Sequence, residues 1–345
     1  MEYYSLIKQK ISAKEYRHYR HPYNNSHMHN IKFIFFGSNQ FSVLVLKRLI
    51  QNGFVPALTI TVPDAPVGKK QIITPPLIKS MAQELRIAIA QPTSLKKDLS
   101  AAQTIALRHP DIGIVAEYGR FFNKTIIDLF PLGVLVVHPS LLPKWRGVTP
   151  IQSALLNGDT ETGITIIQLD EHMDHGPILA QEKTPIVPDE YFYELYERLA
   201  NMGGDLLSCV IPQWLNKKII PKPQDETKTT FCKKISDMSR EDGRVNTSQP
   251  IEQTYNQIRA FSTEPGCWLE LSMKNEQTIT IKILTAHIEH TDIQPEGLIA
   301  QKDKFGIVQK NRMLVFDQIQ PQGKNKMKTQ DFLRGNKDKL DIPVI

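Results

Sequence analysis

Residues 31–53 read IKFIFFGSNQFSVLVLKRLIQNG. Residues 31–36 form a nearly unbroken apolar run, short for a helix and right for a strand buried on both faces. Gly37 ends the run. Ser38 or Asn39 then stands where a helix N-cap belongs, and Gly53 stands where the chain leaves that helix. The stretch is therefore a strand, a tight turn and a helix over 38–53. The same alternation continues along the chain. FVPALTITV (54–62) reads as a second strand, LIKSMAQELR (77–86) as a helix, and IGIVAEYG (112–119) as a strand. A helix near 123–129 follows, then the strand VLVVH (134–138). Strands separated by helices imply an α/β fold with a mostly parallel sheet. Ligands on such sheets bind beyond the carboxyl ends of the strands, where Gly37, Gly119 and His138 stand.

Two stretches break the pattern. PDAPVGKKQIITPP (63–76) is so rich in Pro, Gly and Lys that an irregular loop is expected. GITIIQLD (163–170) and PILAQEKTPI (177–186) read as strands joined by the turn EHMDHG (171–176), before a helix over 191–216. KKIIPKPQDETKTT (217–230) is polar and carries Pro221 and Pro223, as a linker does. Beyond it come one helix (251–261) and closely spaced short strands, the pattern of a small β-barrel. Residues 1–29 lack a two-sided pattern and are expected to be a poorly ordered extension.

The chain has 345 residues, enough for two domains, with 41% hydrophobic and 23% charged residues. No apolar run approaches the ~20 residues of a membrane span, and no signal peptide is visible. Cys209, Cys232 and Cys267 are distant and odd in number, which fits a reducing cytoplasm and no disulfide framework. The formal net charge of +6 permits a polyanionic partner such as nucleic acid. After the first strand the sequence is GSNQFS, without the GxGxxG of a dinucleotide site. His27, His29, His172 and His175 lack the spacing of a metal cluster, so no metal is expected.

His138 ends a strand and is a candidate general acid/base; a core histidine is the plain alternative. Asp174, in the turn MDHG, could orient it or carry protons; an Asx-turn aspartate is the plain alternative. The surrounding sequence joins them. HPSLLPKWRG (138–147) and PIQSALLNGDTETGITIIQLDEHMDHGPIL (150–179) resemble the 10-formyltetrahydrofolate-dependent formyltransferases. So do FFGSNQFSVLVLKRLI (35–50), TVPDAPVGKKQIITPPLIKSMAQEL (61–85), CKKISDMSREDGRVN (232–246), IRAFSTEPGCW (258–268) and IQPQGKNKMKTQDFLRG (319–335). The resemblance runs in order from about residue 31 to about residue 337. Its C-terminal part resembles the members that act on aminoacylated initiator tRNA.

That resemblance implies a Rossmann-like catalytic domain (30–217), a linker (218–230), an OB-like tRNA-binding domain (231–337) and a tail (338–345). It implies 10-formyltetrahydrofolate as the donor co-substrate and initiator methionyl-tRNA as the acceptor, in a cytoplasmic monomer without a membrane or metal. The family's catalytic His and Asp fall on His138 and Asp174. Ser140, Leu141, Leu142 and Pro143 fall in the folate pocket. Lys69, Lys70, Arg146, Lys324 and Lys326 are expected to face tRNA. The family's Arg-Gly-Lys-Lys run is reduced here to Lys69-Lys70-Gln71-Ile72, which predicts weaker or differently salted tRNA contact. The family pattern Asn-x-His is also altered: Val136 stands where the amide donor belongs. An isopropyl group cannot donate to a developing oxyanion, so a rate loss on the order of 100-fold is expected unless Asn39, Ser38 or Ser140 substitutes. The alternative is a folate- or tRNA-binding relative that no longer turns over.

Overall fold

The computed structural model describes residues 31–344 except 69, 97 and 234–237. The extension at 1–29 and Lys69 lie outside the described residues. In chain order the elements are β1 (Phe33–Phe36), α1 (Gln40–Gln51), β2 (Leu58–Ile60), β3 (Ala65–Val67), β4 (Ile72–Thr74), α2 (Leu77–Glu84), β5 (Ile89–Ala90), α3 (Leu99–Ala106), β6 (Ile112–Val115), α4 (Lys124–Ile127) and β7 (Val134–His138). There follow α5 (Pro150–Leu156), β8 (Glu161–Gln168), β9 (Ile178–Pro185), α6 (Phe192–Leu215), α7 (Ile251–Ala260), β10 (Cys267–Ser272), β11 (Thr278–His290), β12 (Gly297–Gln301), β13 (Lys304–Gln309), β14 (Arg312–Pro321), β15 (Met327–Lys328) and α8 (Thr329–Asn336).

Contacts divide the chain into two compact units. The first holds residues up to Arg146 together with 163–183 and 197–229. Its sheet has the order β5-β2-β1-β6-β7-β8-β9. Pairing is parallel from β5 through β7, and β8 returns antiparallel to β7. Strand order reverses beside β1, which has β2 on one edge and β6 on the other. A crevice opens beyond the strand ends at such a reversal. All four residues of β1 are fully buried, as the apolar run requires.

The turn after β1 depends on Gly37. A Cβ there would collide with the Cβ of Ser42. The space is taken because Ser42 Oγ accepts from the Ser38 N–H at 2.9 Å and donates to the Ala116 carbonyl at 2.6 Å. These bonds tie the ends of β1 and β6 to the first turn of α1. Below them lies a core containing Ile34, Phe36, Leu58, Ile60, Tyr118 and Val136. Phe36 meets Phe122 edge-on at 4.9 Å between centroids.

The stretch 63–76 is not irregular. Residues 65–67 and 72–74 pair as an antiparallel hairpin in the register Ala65↔Thr74, Pro66↔Ile73, Val67↔Ile72. The β-branched Val67, Ile72 and Ile73 favour extended backbone, and the breakers collect in the connection. There Gly68 takes φ +71° and Gln71 φ +47°, and the Gln71 N–H donates to the Gly68 carbonyl at 3.1 Å.

The second unit holds 147–162, 184–196 and 230–345. Its antiparallel sheet has the order β10-β11-β14-β13-β12, with β15 on β14. Register shifts near Thr285 bend β11, and the sheet curls into a half-barrel with β10 and β12 as its edges. Segment 184–196 is fastened here: Tyr191 Oη accepts from the Ala286 N–H at 2.8 Å and donates to its carbonyl at 2.9 Å. Tyr255 Oη donates to Asp189 at 2.7 Å. Among the described residues no helix is long and apolar enough to cross a membrane.

Candidate active site

β7 places His138 at its carboxyl end, and the next seven residues fold back on it. The Ser140 N–H donates to the His138 carbonyl at 3.0 Å, and Ser140 Oγ donates to the Lys144 carbonyl at 2.6 Å. Thr165 lies opposite His138 in the register of β7 and β8. Its hydroxyl accepts from the Leu142 N–H at 3.1 Å and donates to the Ser140 carbonyl at 2.6 Å. Gln181 on β9 donates to the Leu142 carbonyl at 2.8 Å. The loop is thus built on two strands rather than left to solvent, as a preorganised site requires. Within it Ser140 and Leu142 are buried, and Leu141 and Pro143 are half-buried.

The loop brings the Trp145 carbonyl to 3.0 Å from His138 Nε2. A carbonyl only accepts, so Nε2 carries the proton. The other ring nitrogen, Nδ1, faces Asp174 Oδ1 at 3.7 Å. That distance is too long for a direct hydrogen bond and falls within ion-pair range when the imidazole is protonated. Both side chains are largely withdrawn from water, at 5% and 16% exposure. Trp145 and Asp174 have φ of +62° and +50°. Left-handed backbone is uncommon outside glycine, and Asp tolerates it best of the two. These conformations turn a carbonyl and a carboxylate toward one imidazole.

Arg146 follows directly and is 4% exposed. Its guanidinium donates to Gln224 Oε1 at 2.7 and 3.0 Å and to both carboxylate oxygens of Glu226 at 2.7 and 3.0 Å. The hydrogen bond to Arg146 holds the Glu226 carboxyl below the usual range, against the opposing effect of desolvation. Gln224 in turn donates from Nε2 to the carbonyls of Asp174 and Gly176, both at 2.8 Å. One chain of bonds therefore runs from the loop after His138, through 224–226, to the turn that carries Asp174.

The structure brings His138, Asp174 and Ser140–Pro143 together within the first unit. Arg146, read from sequence as facing tRNA, is engaged within the protein. Val136 is buried in the core, paired with Val115 on one side and Ile167 on the other. Two of the three candidate substitute donors are engaged elsewhere: Ser38 Oγ donates to the Tyr118 carbonyl at 3.2 Å, and Ser140 Oγ to Lys144. Asn39 is exposed, and its Oδ1 lies 3.4 Å from Ser42 Oγ, whose hydrogen is directed to the Ala116 carbonyl. Lys70 sits exposed in the connection of the β3–β4 hairpin; Lys324 and Lys326 are exposed between β14 and β15. Sequence reasoning missed Thr165, Gln181, Gln224 and Glu226. The first was findable as the cross-strand neighbour of His138; the others lie in stretches with no chemical motif. It also passed over Asp170, which gathers with His172 and His175 so that their donor atoms lie within 4.8 Å of one another.

Comparison with known proteins agrees with this architecture. The Formyl transferase family profile matches residues 29–211, and that of the Formyl transferase C-terminal domain matches 237–337. The methionyl-tRNA formyltransferase of Syntrophus aciditrophicus is 35% identical over 314 residues, 90% of this chain and 97% of that protein. The protein of the same name from Listeria monocytogenes is 36% identical over 307 residues, covering 88% and 95%. In fold, the chain is similar to an N-formyltransferase from Helicobacter canadensis solved with folinic acid and dTDP-3-aminofucose. The TM-score is 0.63 at 21% identity, over 83% of this chain and 99% of that one. It is also similar to HypX from Aquifex aeolicus in complex with tetrahydrofolic acid, with a TM-score of 0.57 at 14% identity over 91% and 49% of the two chains. With both domains matched in order and a third of its residues shared across nearly the whole length of these relatives, the chain belongs to the formyl transferase family.

Proposed function

We propose that this protein transfers the formyl group of 10-formyltetrahydrofolate to the α-amine of methionyl initiator tRNA, as a cytoplasmic monomer. The observation that carries this reading is the approach of His138 Nδ1 to Asp174 Oδ1 at 3.7 Å while Nε2 is held on a backbone carbonyl. The acceptor follows from the relatives that match both domains.

In this reading the amine nitrogen forms a bond to the formyl carbon, and the carbonyl electron pair moves onto the formyl oxygen. Collapse of the tetrahedral species breaks the bond from carbon to N10 of the folate. One proton leaves the attacking nitrogen and one reaches N10. A ring whose Nε2–H is fixed on Trp145 presents Nδ1 alone to the reaction. Protonated, Nδ1 donates to the oxyanion; removing such a donor typically costs ~3–4 kcal/mol. The Asp174 carboxylate stabilises the imidazolium and is the acceptor for the amine proton. Ser140, Leu141, Leu142 and Pro143 shape the folate pocket. Lys69, Lys70, Lys324 and Lys326 meet tRNA phosphates, and Arg146 holds the catalytic loop instead of touching RNA.

The test mixes purified protein with 10-formyltetrahydrofolate and charged initiator tRNA and follows formyl-methionyl-tRNA. Product formation is expected. Folate binding without product would instead make the chain an inactive relative, disabled by Val136.

A further inference from the structure

The turn between β8 and β9 carries a second set of donors beside the catalytic carboxylate. Asp170 Oδ1 accepts from the His172 N–H at 2.9 Å, which fixes the carboxylate. Its Oδ2 lies 2.6 Å from His175 Nδ1. The rings of His172 and His175 stand 5.3 Å apart between centroids. An ion pair between Asp170 and His175 needs only two of these residues. It gives no reason for the ring of His172 to converge on the same point.

We propose that Asp170, His172 and His175 bind a divalent first-row transition ion, with Zn2+ as its representative. Two imidazoles and one carboxylate are the donor set that suits such ions, whereas Mg2+ and Ca2+ favour oxygen alone. Donors 2.0–2.2 Å from a tetrahedral metal lie about 3.3 Å from one another. The observed spread of 4.8 Å closes to that by rotation of side chains on a largely exposed turn. The ion takes the place of the proton between Asp170 Oδ2 and His175 Nδ1. A carboxylate for the outer shell is close at hand: His175 Nε2 lies 3.7 Å from Glu226 Oε1, and Arg146 holds that carboxylate. A carboxylate on the far nitrogen of a ligating histidine fixes its tautomer and raises its basicity. The turn is pinned as well, through Gln224 at the carbonyls of Asp174 and Gly176. Three protein donors leave the fourth position to water. The site requires no statement about formyl transfer and stands apart from that reading.

The full-length protein, stripped with chelator, is titrated with Zn2+ against a chromophoric competitor, alongside His172→Ala and Asp170→Asn. One equivalent bound by the wild type, weakened at least about tenfold in both variants, is the expected result. His172 is exposed and Asp170→Asn keeps an oxygen for the His172 N–H, and far-UV circular dichroism checks that the fold is kept. His18, His21, His27 and His29 of the extension are common to the wild type and both variants, so metal taken up there cancels in the comparison. Binding that is absent, or equal in the wild type and both variants, overturns the proposal. Displacement of Zn2+ by equimolar Mg2+ overturns it too.

Discussion

His138 Nε2–H donates a hydrogen bond to the carbonyl of Trp145 across 3.0 Å, and this turns Nδ1 toward Asp174. The backbone bond fixes the tautomer, and on the proposed mechanism the ring and the carboxylate act as one unit. Asp174→Asn keeps size and hydrogen bonding but removes the charge that stabilises the imidazolium. The chemical step is expected to fall about 10²–10⁴-fold in single-turnover measurements, with folate binding kept. Adding His138→Ala should cost little more, because groups that act together are not additive. Independent, multiplying losses would show that the two residues do not share one proton path.

Val136 occupies the position where an amide donor is expected. Replacing it with Asn should raise the single-turnover rate about tenfold or more, because one donor aimed at an oxyanion is worth that much. The same change places an amide among Val115, Ile167 and Leu142, and should lower stability by about 1–3 kcal/mol in denaturant titrations. A lower stability without a faster step would mean that the oxyanion already has its second donor. Tyr118 shares this core, and burial pushes its phenol up to about 12, further from ionisation than an ordinary tyrosine that is itself protonated at neutral pH. Tyr118→Phe then becomes the informative variant.

How far sequence reaches is visible in these residues. The parallel sheet was legible because β1, β6 and β7 are apolar runs separated by helical spacing, and burial on both faces demands that pattern. His138 was legible as a polar residue at the end of such a run. The hairpin at 65–74 was not, because breakers concentrated in a connection look like breakers throughout a loop. Gln224 and Glu226 were invisible for another reason. Their role depends on a Pro-rich segment returning to a loop 78 and 80 residues earlier in the chain, and no local pattern encodes that return. The burial of Arg146 is a consequence of the same return.

Arg146 is the joint between the loop after His138 and the Asp174 turn. Lysine keeps its charge but cannot engage Gln224 and Glu226 together, since it lacks the planar fork. Arg146→Lys is therefore expected to loosen the geometry of His138 and Asp174. Small displacements of this kind reduce rates by on the order of 10–100-fold. The loss should appear mainly in kcat, with tRNA affinity and its salt dependence unchanged. A reduced salt slope would return this arginine to the RNA interface.

The hairpin of β3 and β4 presents Lys70 in its connection, with Val67, Ile72 and Ile73 at 50%, 61% and 63% exposure. Apolar side chains this open, next to a basic turn, fit a surface that packs on RNA and neutralises its phosphates. Each lysine on a phosphate releases counterions, so its removal lowers the steepness of affinity against salt as well as affinity itself. Replacing Lys69 and Lys70 with alanine should therefore weaken initiator tRNA binding. It should also reduce the slope of log K against log salt by about one for each phosphate that is no longer neutralised. Folate binding should stay the same, because the lysines lie outside the His138 loop. Filter binding over a salt series measures both quantities at once. Weaker binding with an unchanged slope would point to a non-electrostatic role for the hairpin. No change in either would take it out of the tRNA footprint, leaving Lys324 and Lys326 as the remaining exposed candidates.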